Sequence, residues 1–223
     1  MTISEVLNKH LKWLRGENGG QRASLSFMDL SNMDLRGANL SHADLFYNDL
    51  HNSDLSYVDL NNACLIGSDL RCANMRGVNL TGAYLYGANL CGAKNINDAI
   101  WDESTLFFTM QCPEHGAYIG FKKVHGLIVE LEIPADALRS SATTRKCRAS
   151  KARVISITNV DGSPAGDSVA SVYDADFIYR IGEVVEVPNF DTDRWNECSY
   201  GIHHFITREE AVEYMSYHPI WNQ

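Results

Sequence analysis

Few side-chain groupings in this 223-residue chain have types and spacing that could do chemistry, and most of them lie in its second half. Cys198 with His203 or His204 offers a nucleophile and a base, and Glu197 is placed to orient an imidazole. Five residues of extended chain put Cys198 and His203 about 16 Å apart, so a turn at residues 199–201 is needed to join them. On a strand His203 and His204 face opposite sides, so at most one enters any site. Cys112, His115, Cys198 and His203 are permissible metal ligands, but no paired C-x-x-C frames them and no metal site is expected. The chain has no P-loop, no G-x-G-x-x-G and no H-E-x-x-H. The expectation is a protein with no catalytic residues and no cofactor, and Cys198 and His203 stand as its one reactive pair.

A second grouping is electrostatic. Residues 139–153 carry Arg139, Arg145, Lys146, Arg148, Lys151 and Arg153, with five hydroxyls and no acid. The rest of the chain holds 13 basic and 28 acidic side chains, a net of −15, against −9 for the whole. A reversal of this kind concentrates anions, and the interleaved hydroxyls supply donors for phosphate oxygens. The competing reading is internal: the segment pairs with the acidic stretch 161–213 or with aspartates nearer the N-terminus. The overall negative charge argues against nucleic-acid binding anywhere but at this segment.

These groups hang on a repetitive framework. From Ala23 to Gly92 the chain divides into fourteen units of five: ASLSF, MDLSN, MDLRG, ANLSH, ADLFY, NDLHN, SDLSY, VDLNN, ACLIG, SDLRC, ANMRG, VNLTG, AYLYG and ANLCG. Every centre is Leu except Met75. A period of five matches neither the 3.6 of a helix nor the 2 of a strand, and one such unit cannot bury its own apolar residues, so only stacking makes a core. The A-(D/N)-L-x-x pattern resembles the pentapeptide-repeat family. That resemblance implies a right-handed, four-sided β-helix, with four units per coil and with the central Leu and the residue two before it pointing inward. Fourteen units then make three and a half coils, a column about 17 Å tall at the spacing of hydrogen-bonded strands. Met28 and Met33 fall at inward positions of the first coil, where a thioether plugs an open end. Asn48 falls inward too and needs a backbone partner.

Because a residue returns to the same face every twenty positions, the register predicts ladders. Phe46, Ile66 and Tyr86 stack, flanked by Phe27, Tyr47 and Tyr84, and make one side unusually aromatic. Such a patch is a contact surface, to be covered by the C-terminal half of the chain, by a second copy in a homodimer, or by a foreign partner. Asp29, Asp49 and Asp69 form an acidic ladder, with His51 and Arg71 two residues after the last two, and Asp34 and Asp54 continue the acidity around the corner. The pentapeptide family includes DNA mimics that occupy DNA-handling enzymes such as gyrase. Here seven Asp against Arg36, Arg71 and Arg76 leave a net of only −4 over residues 23–92, which limits mimicry to a partial one.

The elements that must hold this column in place are also legible. Thr2 and Glu5 have capping-box spacing, after which Ile3, Leu7, Leu11 and Leu14 share a helical face beside Trp13, and Gly16 ends the helix. This helix is expected to lie over the first coil. The rhythm breaks at AKNIN, residues 93–97, where Ile96, Ile100 and Trp101 are expected to cover the last coil. Beyond it, residues 117–124, 127–133, 152–159, 169–173, 176–187 and 201–207 read as strands, with a turn at 161–166 and a second capping box, Thr207 to Glu210, opening a helix that carries Ala211, Val212 and Tyr214. The expected fold is mainly β: capping helix and linker at 1–22, β-helix at 23–101, linker at 102–115, and a small mainly-β domain with a C-terminal helix at 116–223. Within that domain GEVVEVPNFD, from Gly182, and RWNECSYGIHHF, from Arg194, resemble an uncharacterised domain that accompanies pentapeptide repeats in phage and bacterial proteins. The likeness spans Gly116 to Tyr214 and implies no activity. The N-terminal helix followed by Gly19 and Gly20 is similar to the openings of phage pentapeptide proteins.

No run approaches the roughly 18 to 20 apolar residues of a spanning helix, and the N-terminus lacks the layout of a secretory signal. The expected location is the cytoplasm, that of the host if the chain is phage-encoded. In that compartment the six cysteines are expected as free thiols. The leading functional expectation is a non-catalytic, phage-associated binding scaffold that engages a host protein, either a nucleic-acid enzyme or an antiviral defence protein. The alternative is a phosphate- or nucleotide-binding protein or enzyme that uses residues 139–153.

Overall fold

The computed structural model describes residues 2–214. They form two compact units, one running to Thr109 and taking in Ala142–Thr144, the other comprising Met110–Ser141 and the chain from Arg145 onward. The described residues are mainly β, with α-helices at Ile3–Leu14 and Arg208–Glu213.

The repeats of the first unit coil as a four-sided β-helix. Parallel bridges link each Asp/Asn position to the one twenty residues on, as in Ser24 with Asp44 and Asp44 with Cys64. Leu25 N–H donates to Asp44 O at 2.8 Å and Asp44 N–H returns to Ala23 O at 3.0 Å. At each corner the chain must reverse sharply, and Met28 N–H closing on Leu25 O at 3.2 Å shows how. The third residue of these turns is left-handed in every repeat: six are glycines, and the other eight are Phe27, Asn32, His42, Tyr47, Asn52, Tyr57, Asn62 and Cys72. A positive φ at that place is the signature of a type II turn. The Asp or Asn before each central Leu earns its position in the motif here, because its Oδ1 accepts the N–H two residues on. Asp44 with Phe46 at 3.2 Å and Asp59 with Asn61 at 3.0 Å are examples of this Asx turn.

Inside the column the central Leu residues and Met75 are at most 3 % exposed. Ser53 and Ser68, also inward, send their hydroxyls to Leu50 O and Leu45 O. Asn48 is buried, and its Oδ1 accepts from Met28 N–H at 3.2 Å, but its Nδ2 has no partner. Met28 is exposed and Met33 half-buried, so neither plugs the column.

That task falls to helix α1 (Ile3–Leu14), whose capping box forms as expected. Ile3, Leu7 and Leu14 of the expected face are half-buried, but its centre is His10. Leu11 and Trp13 are exposed, while His10 is fully buried. The backbone explains the choice: Ala23 N–H donates to His10 Nδ1 at 3.1 Å, and His10 Nε2 faces Ser41 O at 3.0 Å, so the imidazole satisfies two edge groups of the first coil that a leucine would leave unpaired. Gly20 lies so close to α1 that a Cβ there would stand 2.4 Å from the Trp13 nitrogen.

At the far end the pairing continues past residue 101. Asn79 bridges Ile100 and Tyr84 bridges Leu106, offsets of 21 and 22 residues instead of 20; the 3-10 helix Ile96–Asp98 lies at the first slip, and the second falls between Ile100 and Leu106. Residues 102–106 are therefore coil, not linker. Ile96 is buried as expected, but Ile100 and Trp101 are exposed, and Thr105 and Phe108 are the covered residues. Thr143 completes this end: its carbonyl accepts from Gly87 N–H and its hydroxyl donates to Ala88 O.

The second unit contains β1 (Tyr118–Val124), β2 (Leu127–Ile133), β3 (Arg139–Ser141), β4 (Cys147–Ala149), β5 (Lys151–Asn159), β6 (Ser168–Ala170), β7 (Ile178–Arg180), β8 (Val184–Glu186), β9 (Ile202–His204) and α2 (Arg208–Glu213). The strands form sheets in the orders β1-β2-β5-β8, β3-β4-β9 and β6-β7. His125 and Gly126, both left-handed, make the two-residue turn that sets the β1–β2 register at Val124 opposite Leu127. Val129, Leu131, Ile133, Val154, Ile157 and Tyr179 supply the core. Two expectations change. The stretch 176–187 is two short strands broken at Gly182, which adopts φ 85°. The basic segment 139–153, read without regular structure before residue 152, contains β3, β4 and the start of β5.

Candidate binding surfaces

The aromatic ladder forms, and the turn geometry explains its shape. Phe46, Ile66 and Tyr86 follow one another on successive coils, linked where Tyr47 N–H donates to Ile66 O and Gly67 N–H to Tyr86 O. Phe27 and Tyr47 occupy the left-handed corner next to them. Their rings stack nearly parallel with centroids 5.8 Å apart, and Phe46 meets both edge-on at 5.5 and 4.4 Å. Tyr47 in turn lies over Gly67 of the next coil, whose Cβ, were it present, would be 2.6 Å from the ring. Phe27 is 73 % exposed, Tyr86 43 % and Tyr47 37 %; Phe46, Ile66 and Tyr84 are half-buried. Phe107 extends the patch, 5.0 Å from Tyr86 and 5.6 Å from Tyr84. It escaped the sequence reading because the rhythm had lapsed by then, and its left-handed φ of 64° is the sign that the corner recurs.

The acidic ladder also forms, through the bridges from Asp29 to Asp49 to Asp69, but its carboxylates are already engaged. Asp69, 5 % exposed at its side chain, shares the Arg71 Nε–H between its two oxygens and accepts Nη2 at 2.6 Å. His51 Nδ1 lies 2.6 Å from Asp49 Oδ1. Asp34 accepts Arg36 Nε and Nη2 at 2.8 and 2.6 Å, and this guanidinium holds its carboxyl down at about 2. Asp29 is lowered by the Ser31 hydroxyl and N–H, and Asp54 by those of Ser56. Asp49, His51 and Asp69 bring ligand-type atoms within 4.8 Å of one another, but the Arg71 guanidinium already occupies Asp69. The face is a ribbon of turn-closing carboxylates with interleaved cations.

In the second unit the basic side chains also face inward or pair. Arg139 gives its guanidinium to the carbonyls of Pro113, Gly116, Pro134 and Ala135 and stacks on Tyr118. Arg145 binds Glu210 and Gln111, Lys151 binds Asp136, and Arg153 lies 3.5 Å from Glu132. Arg148, 1 % exposed, donates to Tyr200 O and Asp193 O and lies over Phe190. Carbonyls, carboxylates and aromatic rings of the same unit converge on a segment whose charge alone suggested a ligand.

Residues 21–45, 49–71 and 59–94 match the profile described as "Pentapeptide repeats (8 copies)". The chain belongs to the pentapeptide-repeat family. Residues 108–211 of this pentapeptide-repeat protein match a family of unknown function, DUF5758. No curated protein matches the chain. Among solved structures it is similar to a pentapeptide repeat protein from the Arabidopsis thaliana thylakoid lumen, at 21 % identity and TM-score 0.32 over 42 % of this chain and 71 % of that one. It is also similar to Rfr23 from the cyanobacterium Cyanothece 51142, at 33 % identity and TM-score 0.22 over 36 % of this chain and 61 % of that one. A third is HetL of Nostoc sp. strain PCC 7120, a protein involved in heterocyst differentiation regulation, at 32 % identity and TM-score 0.19 over 35 % of this chain and 43 % of that one. The chain thus spans less than two thirds of the length of these two cyanobacterial proteins.

The pentapeptide-repeat protein does not assemble Cys198 and His203 as nucleophile and base. His203 Nε2 is 3.0 Å from Glu197 O, and burial, with Lys146 and Lys122 nearby, lowers its pKa to about 3. The group beside Cys198 is the Lys146 ammonium, 3.5 Å from the sulfur and 3.6 Å from Glu197. His204 faces the other way, as adjacent strand residues must: its Nε2 meets the Tyr118 hydroxyl at 3.0 Å. Among the described residues no helix is long and apolar enough to cross a membrane.

Proposed function

We propose that this pentapeptide-repeat protein is a non-catalytic binding scaffold whose partner, a protein with an apolar docking surface, seats on the patch Phe27, Phe46, Tyr47, Ile66 and Tyr86. The observation that carries the reading is the backbone under it. Phe27 and Tyr47 hold φ of 60° and 52°, where an L-residue with a bulky side chain costs roughly 1–2 kcal/mol and Gly or Asn far less. Equivalent corners of the same column use Gly or Asn nine times in fourteen. Strain kept at an exposed position points to a use for the side chain beyond folding. Large aromatic rings exposed side by side are also the residues that dominate protein contacts. A cytoplasmic protein of a phage host, an enzyme acting on nucleic acid or a defence protein, is the partner class in keeping with the sequence resemblance. Imitation of DNA forms no part of the proposal, because the ladder's carboxylates are tied to turns and cations.

The test is Phe27→Asn in the full chain. Asn tolerates the left-handed corner, so the melting temperature should stay level or rise. Partners captured from a bacterial lysate by the natural chain should at the same time be lost. Undiminished capture by Phe27→Asn and by Tyr86→Ser would sink the reading, and a concentration-dependent mass that falls to monomer in Phe27→Asn would identify the partner as a second copy.

A further inference from the structure

The second unit buries two thiols side by side. Cys112 is 4 % exposed and Cys147 not at all. Their meeting follows from the strands. Cys147 opens β4 opposite Ser141 of β3 and His204 of β9. Gln111 N–H donates to Ser141 Oγ at 2.6 Å, and Gln111 Oε1 accepts from Arg145, so the residue before Cys112 is tied to both sides of the β3–β4 pair. The two thiols hydrogen-bond to each other, and Cys112 also meets the Tyr118 hydroxyl. Cys147 Sγ lies 3.7 Å from Arg145 O.

The proton order around them can be read from elementary valence. Ile202 O lies 2.9 Å from His204 Nδ1 and can only accept, so Nδ1 carries the hydrogen and Nε2 is bare. Tyr118 O–H therefore donates to Nε2. Burial keeps that imidazole neutral and pushes its pKa down to about 4. The hydrogen bond from Cys147 pulls the Cys112 thiol down to about 7 in spite of burial, while Cys147 itself is pushed up. The asymmetry assigns the roles of attacking and resolving sulfur.

We propose that Cys112 and Cys147 form a redox pair that closes to a disulfide on exposure to a small peroxide and reopens with a dithiol. The Cys112 thiol releases its proton and becomes the thiolate. The Cys112 sulfur attacks one peroxide oxygen, the O–O bond breaks, and the leaving hydroxide recovers the proton as water. Cys147 sulfur then attacks the resulting sulfenic sulfur; the S–S bond forms, the S–O bond breaks, and hydroxide leaves with the Cys147 proton as the second water. Two thiols lose two electrons, and one peroxide gains them.

Hydrogen peroxide titration of the full chain tests this, followed by alkylation under denaturing conditions and peptide mass spectrometry. The expected product is a peptide pair joined through Cys112 and Cys147, lighter by two hydrogens and restored by dithiothreitol. The melting temperature of the second unit should rise by several degrees in the oxidised form. Cys112→Ser and Cys147→Ser should each abolish the link. If either variant fails to fold, the natural chain still decides. Recovery of Cys112 and Cys147 as free thiols after exposed Cys72 and Cys198 are consumed overturns the proposal, as does a Cys72–Cys91 link in place of the expected one, or sulfinic acid at Cys112 without a bridge.

Discussion

At the scale of single residues, the repeat makes sense as a set of answers to local backbone demands. The Asp or Asn caps a turn, the third turn residue turns left-handed, and the central Leu fills the axis. Asn48 is the misfit: its Nδ2 is buried with no partner, which costs about 1–3 kcal/mol. Met28 N–H already has Leu25 O, so Asn48→Ala removes the orphan without creating another. The variant should be about 1 kcal/mol more stable, seen as a raised midpoint in urea unfolding. Gly67→Ala should do the reverse by roughly 1–2 kcal/mol, since it combines a φ of +65° with a Cβ thrust into the Tyr47 ring, and tyrosine fluorescence should report the displaced ring. The turn chemistry behind both was open to a sequence reading, but the sign of φ at Phe27 and Tyr47 was not, because nothing in an aromatic side chain advertises a left-handed backbone.

At the scale of elements, α1 is fastened to the first coil through His10. Ala23 N–H can only donate, so Nδ1 must be unprotonated and Nε2–H must point at Ser41 O. Burial lowers the pKa of His10 below 6.5, and Arg22 and His42 push the same way. With the folded value depressed, the stabilisation is present in full above about pH 6.5 and is lost as the pH falls through the lower folded value, since the unfolded chain takes the proton first. Hydrogen-exchange protection at Ala23 and in α1, corrected for the intrinsic rate, should therefore fall as the pH drops from 7 to 5, and His10→Leu should abolish the pH step while leaving both poorly protected throughout. Gly20→Ala should loosen the same contact at every pH. Sequence periodicity found the helix, its capping box and most of its covered face, Ile3, Leu7 and Leu14, but missed His10 at the centre, because it scores apolarity and His10 is buried for its hydrogen bonds.

At the scale of the whole molecule, two compact units with separate interiors should unfold in two calorimetric transitions. Arg148 belongs to the second, where its guanidinium holds two carbonyls and covers Phe190. Arg148→Met strands those carbonyls in a buried site and should lower only one transition, by about 2–4 kcal/mol. Loss from both transitions together would contradict the division into units. The same residue shows why net charge misleads at this scale: six basic side chains in fifteen residues suggested an anion site, yet the folded chain distributes them among carboxylates and carbonyls that are distant in sequence.

What the sequence determined by itself is the β-helix: a five-residue period with Leu at its centre and Asp or Asn before it has one stacking solution, because every contact that matters recurs at a fixed offset of twenty. The family of the repeats and the aromatic and acidic ladders follow from that arithmetic, and the two capping boxes from their own Thr-x-x-Glu spacing. Where the offset slipped to 21 and 22, the reading ended too early and lost Phe107. In the second unit no period links residues that meet, so Gln111 beside Ser141, Cys112 beside Cys147 and Tyr118 beside His204 were decided by the tertiary structure alone. Hydrogen bonds between strands far apart in the chain leave no local pattern to read.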